Sequence, residues 1–126
     1  MSQEILVVED NNRNRRLLKI LLESRGYEVI EAVTGEEAMR YLRDSNPDLI
    51  LMDIQLPNVD GLELTRNIKS DPKTADIPIV AVTAYAMKGD RERILEAGCD
   101  GYISKPIDTR KLILLVTETL KNSGNA

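Results

Sequence analysis

Apolar residues along the chain alternate between two spacings. Ile5-Leu6-Val7-Val8 is an unbroken apolar run, the mark of a strand buried on both faces. From Asn12 to Ser24 the spacing turns helical, with Leu17, Leu18, Leu21 and Leu22 on one side and Arg13, Arg16 and Lys19 elsewhere. Gly26 stops that helix, since glycine tolerates the positive φ of a helix end. Tyr27 to Glu31 alternates apolar and acidic residues, which predicts a strand at a sheet edge. Thr34-Gly35-Glu36-Glu37 opens a second helix with acids where the macrodipole favours them, and Asn46-Pro47 closes the segment.

The second half repeats the scheme. Leu49-Ile50-Leu51-Met52 is another doubly apolar run, followed by Asp53. Pro57 to Gly61 reads as a loop and Leu62 to Ser70 as a helix closed by Asp71-Pro72. Ile79-Val80-Ala81-Val82 is a strand ending at Thr83, and Ala86 to Ala97 a helix weakened by Gly89 and capped by Gly98. Gly101 to Ser104 is a short strand, and Asp108 starts a last helix to about Lys121. Residues 122–126 have nothing to bury and are expected to fray.

Strict βα alternation forces parallel strands, because each crossover helix returns the chain to the same edge. The expectation is one α/β domain over 1–126: a doubly wound, five-stranded parallel sheet of order 2-1-3-4-5 flanked by five helices, flavodoxin-like in plan. Ligands of such sheets bind beyond the carboxyl ends of the strands, at the switch in strand order. Those ends carry Glu9-Asp10, Asp53, Thr83 and Ser104-Lys105.

Composition narrows the chemistry. Lys and Arg number 17 against 21 Asp and Glu, a net charge of −4, and the four aromatics are all Tyr. Neither a basic footprint nor a base-stacking platform is present, which argues against nucleic acid as a partner. With no His, imidazole triads, His-ligated zinc and phosphohistidine on this chain are excluded. The lone Cys99 can make neither an internal disulfide nor a cysteine metal site. Met1-Ser2-Gln3-Glu4 lacks a basic n-region, and no apolar run approaches the ~18 residues of a membrane span, so a cytoplasmic protein without membrane contact is expected.

Glu9, Asp10 and Asp53 would form an acidic cluster whose mutual repulsion calls for a cation. Acids at strand ends also begin loops and cap helices, but three together are hard to explain that way. Oxygen-only donors favour a hard ion, Mg²⁺ before Zn²⁺. Lys105 supplies a counter-charge, and Pro106 after it could turn the chain sharply. No Ser–base or Cys–base pair exists for acyl transfer, whereas Mg²⁺, a lysine and a hydroxyl around a carboxylate suit in-line phosphoryl transfer. Asp53 is then the nucleophile, Asp10 holds the metal directly, Glu9 holds it through water or as a second ligand, and the Gln55 carbonyl could complete the shell. Thr83 and Lys105 would bind phosphoryl oxygens.

In these residues the chain resembles the receiver (CheY-like) domains of two-component response regulators. The stretches that carry the resemblance are Val7-Val8-Glu9-Asp10-Asn11, Asp48 to Pro57, Asp60-Gly61-Leu62-Glu63, Ile79 to Ala84 and Tyr102-Ile103-Ser104-Lys105-Pro106. Ala84-Tyr85-Ala86-Met87-Lys88-Gly89-Asp90 is similar to single-domain regulators of the DivK type and to receivers attached to hybrid kinases. The resemblance implies a phosphoacceptor in a phosphorelay, not an enzyme, with Asp53 taking phosphate from a phosphohistidine on a histidine kinase or phosphotransfer protein. It implies Mg²⁺ at Asp10, Asp53 and the Gln55 carbonyl with Glu9 in support, and a switch pair of Thr83 and Tyr102. Gln55 and Tyr85 stand where the family tunes dephosphorylation. The face of helix four, strand five and helix five, carrying Tyr102, Arg91 and Lys111, would then control a downstream protein. Arg13, Arg15, Arg16 and Lys19 on helix one would dock the phosphodonor, or simply form a solvated helix face.

Three alternatives follow from the same residues. A flavodoxin-like FMN carrier would need a phosphate loop where Glu9-Asp10-Asn11 stands. A Mg²⁺-dependent phosphohydrolase usually has a second acid two residues after its nucleophile, where Gln55 stands. A receiver excised from a hybrid histidine kinase or larger regulator would have this same sequence.

Overall fold

The structure, a computed structural model, describes residues 2–56, 59–84 and 88–124. Its elements are β1 (Glu4–Val8), α1 (Asn12–Glu23), β2 (Glu28–Ala32), α2 (Gly35–Asp44), β3 (Leu49–Asp53), α3 (Gly61–Ser70), β4 (Ile79–Thr83), α4 (Lys88–Glu96), β5 (Gly101–Ser104) and α5 (Thr109–Gly124). The five strands are parallel and lie in the order β2-β1-β3-β4-β5, as strict βα alternation with an edge-like second strand predicts.

Each central strand feeds two cores, because successive side chains leave opposite faces of the sheet. Leu6, Val8, Ile50, Met52, Ile79 and Ala81 pack in one core with residues of α2, α3 and α4. Ile5, Val7, Leu49, Leu51, Val80 and Val82 pack in the other with residues of α1 and α5. Each of these side chains other than Ala81, fully removed from water, stabilises the fold by about 1.5–3 kcal/mol. The same alternation continues past the strand ends. Glu9 and Asp53 fall in step with the α1/α5 side, Thr83 and Tyr102 with the α4 side.

Side-chain caps fix where the helices begin. Asn11 accepts from the Asn14 N–H, Asp60 from Leu62, and Asp108 from Arg110 and Lys111. At α2, Thr34 accepts from the Glu37 N–H while the Glu37 carboxylate reaches back to the Val33 N–H. Gly26 and Gly98 adopt φ of 88° and 109° behind α1 and α4, a region costly for any residue with a Cβ.

Several boundaries depart from the sequence expectation: α1 ends at Glu23 rather than Ser24, α3 already begins at Gly61, α4 ends at Glu96 rather than Ala97, and three more have a visible cause. β2 runs Glu28–Ala32 rather than Tyr27–Glu31, because the Tyr27 N–H still closes α1 on the Leu22 carbonyl and pairing begins at Glu28. α2 ends at Asp44, since Ser45 is already extended. α5 continues to Gly124, so residues 122–124, expected to fray, are helical; Leu120 is still anchored in the core one turn earlier. The expected start of α4 at Ala86 and its neighbour Met87 lie outside the described residues. Among the described residues, no helix is long and apolar enough to cross a membrane.

Candidate functional site

β1 and β3 are adjacent and in register, Val8 beside Met52, so the residues that follow them emerge together. Carboxylate oxygens of Glu9, Asp10 and Asp53 gather within 4.8 Å of one another. Glu9 and Asp53 are buried at 1% and 2% exposure, while Asp10 is more open to solvent. From β5 side, Lys105 brings its Nζ to 3.2 Å from Glu9 Oε1 and 3.4 Å from Asp53 Oδ2. The Lys105–Pro106 peptide is cis, and the Lys105 N–H continues the ladder onto the Thr83 carbonyl at 2.7 Å.

The remaining oxygens are held by backbone turns. Asp53 Oδ1 accepts from the Gln55 N–H at 2.9 Å, and Glu9 Oε2 from the Asn11 N–H at 3.1 Å. Glu9 Oε1 is different. Lys105 is close enough to be its ion-pair partner, but among the described residues no group is aligned to donate a hydrogen bond to it.

Electrostatics follow from this crowding. Burial is the main cause that pushes the Glu9 carboxyl up to about 7 from its ordinary 4.5; the Asp53 carboxylate beside it adds to the rise, and Lys105 opposes it. For Lys105, burial works against the charged form, yet Asp53 and Glu9 outweigh it and hold the ammonium above its ordinary value. With all three acids ionised the charge is −3, and Lys105 leaves −2 at one spot. That surplus, the oxygen-only donors and the unaligned Glu9 Oε1 fit a hard divalent cation such as Mg²⁺.

Thr83, fully buried at the end of β4, stands one residue beyond Val82, the register partner of Asp53. Tyr102 lies beside Ala81 on β5, half-buried against the α4-side core, with the Arg91 guanidinium 5.8 Å from its ring centre. The structure thus gathers Glu9, Asp10, Asp53 and Lys105, sets Thr83 next to them, and leaves Tyr102 one strand further out. Gln55 meets the site through its N–H on Asp53, and its side-chain oxygen accepts from the Ala84 N–H at 3.2 Å. Tyr85 and Pro57 lie outside the described residues. A cleft of about 590 Å³ opens beside the cluster, between Ile54, Leu62, Ile94 and Arg93, and shares Gln55 and Thr83 with it.

Two participants were given no place at the site by the sequence reading. Arg15, grouped there with a basic docking face, turns inward: it donates to the Glu9 carbonyl at 3.0 Å and to Asn12 at 2.7 Å, and pairs with Glu31 at 3.3 Å. Its charge is spent bracing the end of β1, while Arg13 and Arg16 are exposed. Gly61 opens α3 against the end of β3, where an added Cβ would lie 2.6 Å from Ile54 Cα and 2.7 Å from the Asp53 carbonyl oxygen. An Asp-Gly pair before a helix could have pointed to that approach.

Comparison with known proteins gives this geometry its relatives. The family model of the response regulator receiver domain matches residues 5–117. The polar-differentiation response regulator DivK of Brucella ovis is 50% identical over 122 residues, 97% of this chain and 96% of that protein. Among solved structures, the receiver domain of a sensor histidine kinase from Pseudomonas aeruginosa, described with a magnesium ion coordinated in its active-site cleft, superposes with a TM-score of 0.88 at 38% identity. That match covers 96% of this chain and 99% of the other. A CheY-like receiver domain protein from Methanospirillum hungatei gives 0.89 at 32% identity over 99% and 98% of the two chains.

Proposed function

The chain belongs to the response regulator receiver family and serves as a phosphoacceptor in signalling, and on that premise we propose that Asp53 is the acceptor. The observation that carries this reading is Lys105 Nζ, set 3.4 Å from Asp53 and 3.2 Å from Glu9 where the three carboxylates converge. The donor is a phosphohistidine on a histidine kinase or a phosphotransfer protein. An Asp53 carboxylate oxygen forms the new O–P bond as the donor's N–P bond breaks. The bonding pair stays on the ring nitrogen, and a proton on the other ring nitrogen lets neutral imidazole depart.

Bound Mg²⁺ would neutralise charge on the phosphoryl oxygens, with Asp10 and Asp53 holding it directly, Glu9 through water or as a second ligand, and the Gln55 carbonyl completing the set. Lys105 orients the phosphoryl group and balances the charge that Asp53 gains. Thr83 donates its hydroxyl to a phosphoryl oxygen.

A phosphoryl group brings about −1.5 to −2 of charge and three acceptor oxygens to one spot. Drawing Thr83 and Lys105 toward it reshapes the face of α4, β5 and α5, with Tyr102 turning inward behind Thr83. Taking such an equilibrium from mostly off to mostly on requires up to ~5 kcal/mol of differential interaction. The modified face then controls a protein target in the cytoplasm, and the chain's own chemistry is limited to gaining and losing its phosphoryl group.

Intact-mass measurement after acetyl phosphate treatment tests the reading. The wild-type chain gains one phosphoryl group with Mg²⁺ and little without it, and Asp53→Asn gains none. A phosphoryl group retained by Asp53→Asn would overturn the assignment.

A further inference from the structure

We propose that the Gln55 side chain is a latch: it occupies the Ala84 N–H in the unmodified chain and competes with the phosphoryl group for that donor. This rests on Asp53 as the acceptor and concerns how the same site is regulated.

The inference comes from following the backbone donors where the sheet ends. The β3–β4 ladder includes the Ile54 N–H on the Val82 carbonyl at 3.1 Å. One residue on, the Thr83 carbonyl faces β5 and accepts from the Lys105 N–H. The next donor, the Ala84 N–H, therefore faces back toward β3, and the following rung of a parallel ladder would end on the Ile54 carbonyl. That carbonyl accepts instead from the Gly61 N–H at 3.1 Å, where α3 begins. The ladder is broken there, and the Ala84 N–H goes to Gln55 Oε1 at 3.2 Å.

Gln55 thereby joins both sides of the site. Its own N–H holds Asp53 Oδ1 at 2.9 Å, and its carboxamide oxygen holds the first residue after Thr83. A phosphoryl group on Asp53 would bring charged oxygens beside this strand-end donor. A hydrogen bond to a charged acceptor is roughly twice as strong as one to a neutral amide, so the phosphoryl oxygen displaces the carboxamide. Gln55 is exposed, so its freed side chain passes into water. The latch thus opposes phosphorylation by the worth of one neutral hydrogen bond, enough to hold the Ala84 backbone at the end of β4 in its resting place and weak enough to yield.

Gln55→Met keeps the side chain's length and loses the acceptor; Gln55→Glu keeps an acceptor and adds a charge that repels phosphate. Amide NMR of the unmodified chains should show the Ala84 proton at lower field and slower to exchange in wild type than in Gln55→Met. In titrations with beryllofluoride and Mg²⁺, a mimic of the phosphoryl group that binds reversibly, the affinity should rise roughly 2- to 10-fold in Gln55→Met, the equilibrium worth of one such bond, and fall in Gln55→Glu. Matching Ala84 resonances in wild type and Gln55→Met, or an unchanged or lower beryllofluoride affinity in Gln55→Met, would overturn the latch while leaving Asp53 as acceptor. A wild-type chain that takes no phosphoryl group at all would remove the Asp53 reading and the latch together.

Discussion

Glu9 and Lys105 form an ion pair 3.2 Å long in which the carboxylate is the more deeply buried partner, its side chain 2% exposed against 21% for the lysine. The pair is unequal: burial costs Glu9 more than Lys105 returns, and Asp53 is a second negative neighbour. Across the window from 4.5 to about 7 the folded chain holds a proton on Glu9 that the unfolded chain has lost. Stability from this group is complete below 4.5 and lost as pH rises through about 7. In chelator, Glu9→Gln should therefore gain on wild type between pH 5 and 8 by up to about 3 kcal/mol, read from urea unfolding at each pH. A difference that stays flat across that range would contradict the assigned burial effect.

Lys105→Met isolates the other partner. It keeps an apolar stem but leaves two buried carboxylates facing each other, so the metal-free chain should lose about 1–3 kcal/mol. Saturating Mg²⁺ replaces the missing positive charge and should close much of that gap. Equal losses with and without Mg²⁺, measured by denaturant unfolding, would show that the cation does not join this cluster.

Gly61→Ala tests how α3 is seated against the end of β3. The new methyl would meet backbone atoms of Ile54 and Asp53 at 2.6 to 2.9 Å, and backbone cannot rotate away as a side chain can. A loss of about 1–3 kcal/mol is expected from overpacking. Amide shifts should change at Ile54 and Gln55, whose N–H groups sit in the β3–β4 ladder and on Asp53. A fully stable variant with an undisturbed spectrum would mean that the approach relaxes freely.

Legibility in the sequence followed how local each cause was. β1, β3 and β4 could be read from unbroken apolar runs because both sheet faces are covered, and the acids at the ends of β1 and β3 were placed by strand order alone. β2 slipped by one residue because Tyr27 is apolar enough to pass for a strand, while its N–H belongs to the end of α1. The side-chain contacts of Arg15 and Gln55 were opaque for another reason. Each acts through the far end of a long side chain whose partner, the Glu9 carbonyl or the Ala84 N–H, is exposed only by how neighbouring segments turn. Spacing patterns report which face a residue occupies, and they do not report which backbone group a ladder leaves over.

Lys69 shows the same kind of long reach at the opposite end of the sheet. Its Nζ donates to the Ile77 carbonyl at 2.7 Å, to Ala75 at 3.3 Å and to Asp100 Oδ2 at 3.1 Å. Asp100 in turn accepts from the Ile79 N–H at 2.8 Å and returns its own N–H to the Ile79 carbonyl at 2.7 Å. One ammonium thus ties α3 to the approach of β4 and to the turn before β5. The lysine stem also lies against Gly98, where a Cβ would stand 3.0 Å from Lys69 Cγ. Lys69→Met preserves that stem and removes only the donors, leaving two carbonyls and a carboxylate short of a partner. Because the lysine side chain is 20% exposed, water can reach part of the vacated space, and the loss should be about 1–2 kcal/mol rather than the full cost of a buried charge. Hydrogen exchange should quicken at Ile79 and Asp100 while amides around Glu9 and Asp53 hold their rates, since the clasp lies at the far end of the strands. Faster exchange spread evenly over both ends would show that the clasp supports the whole sheet and not this edge of it.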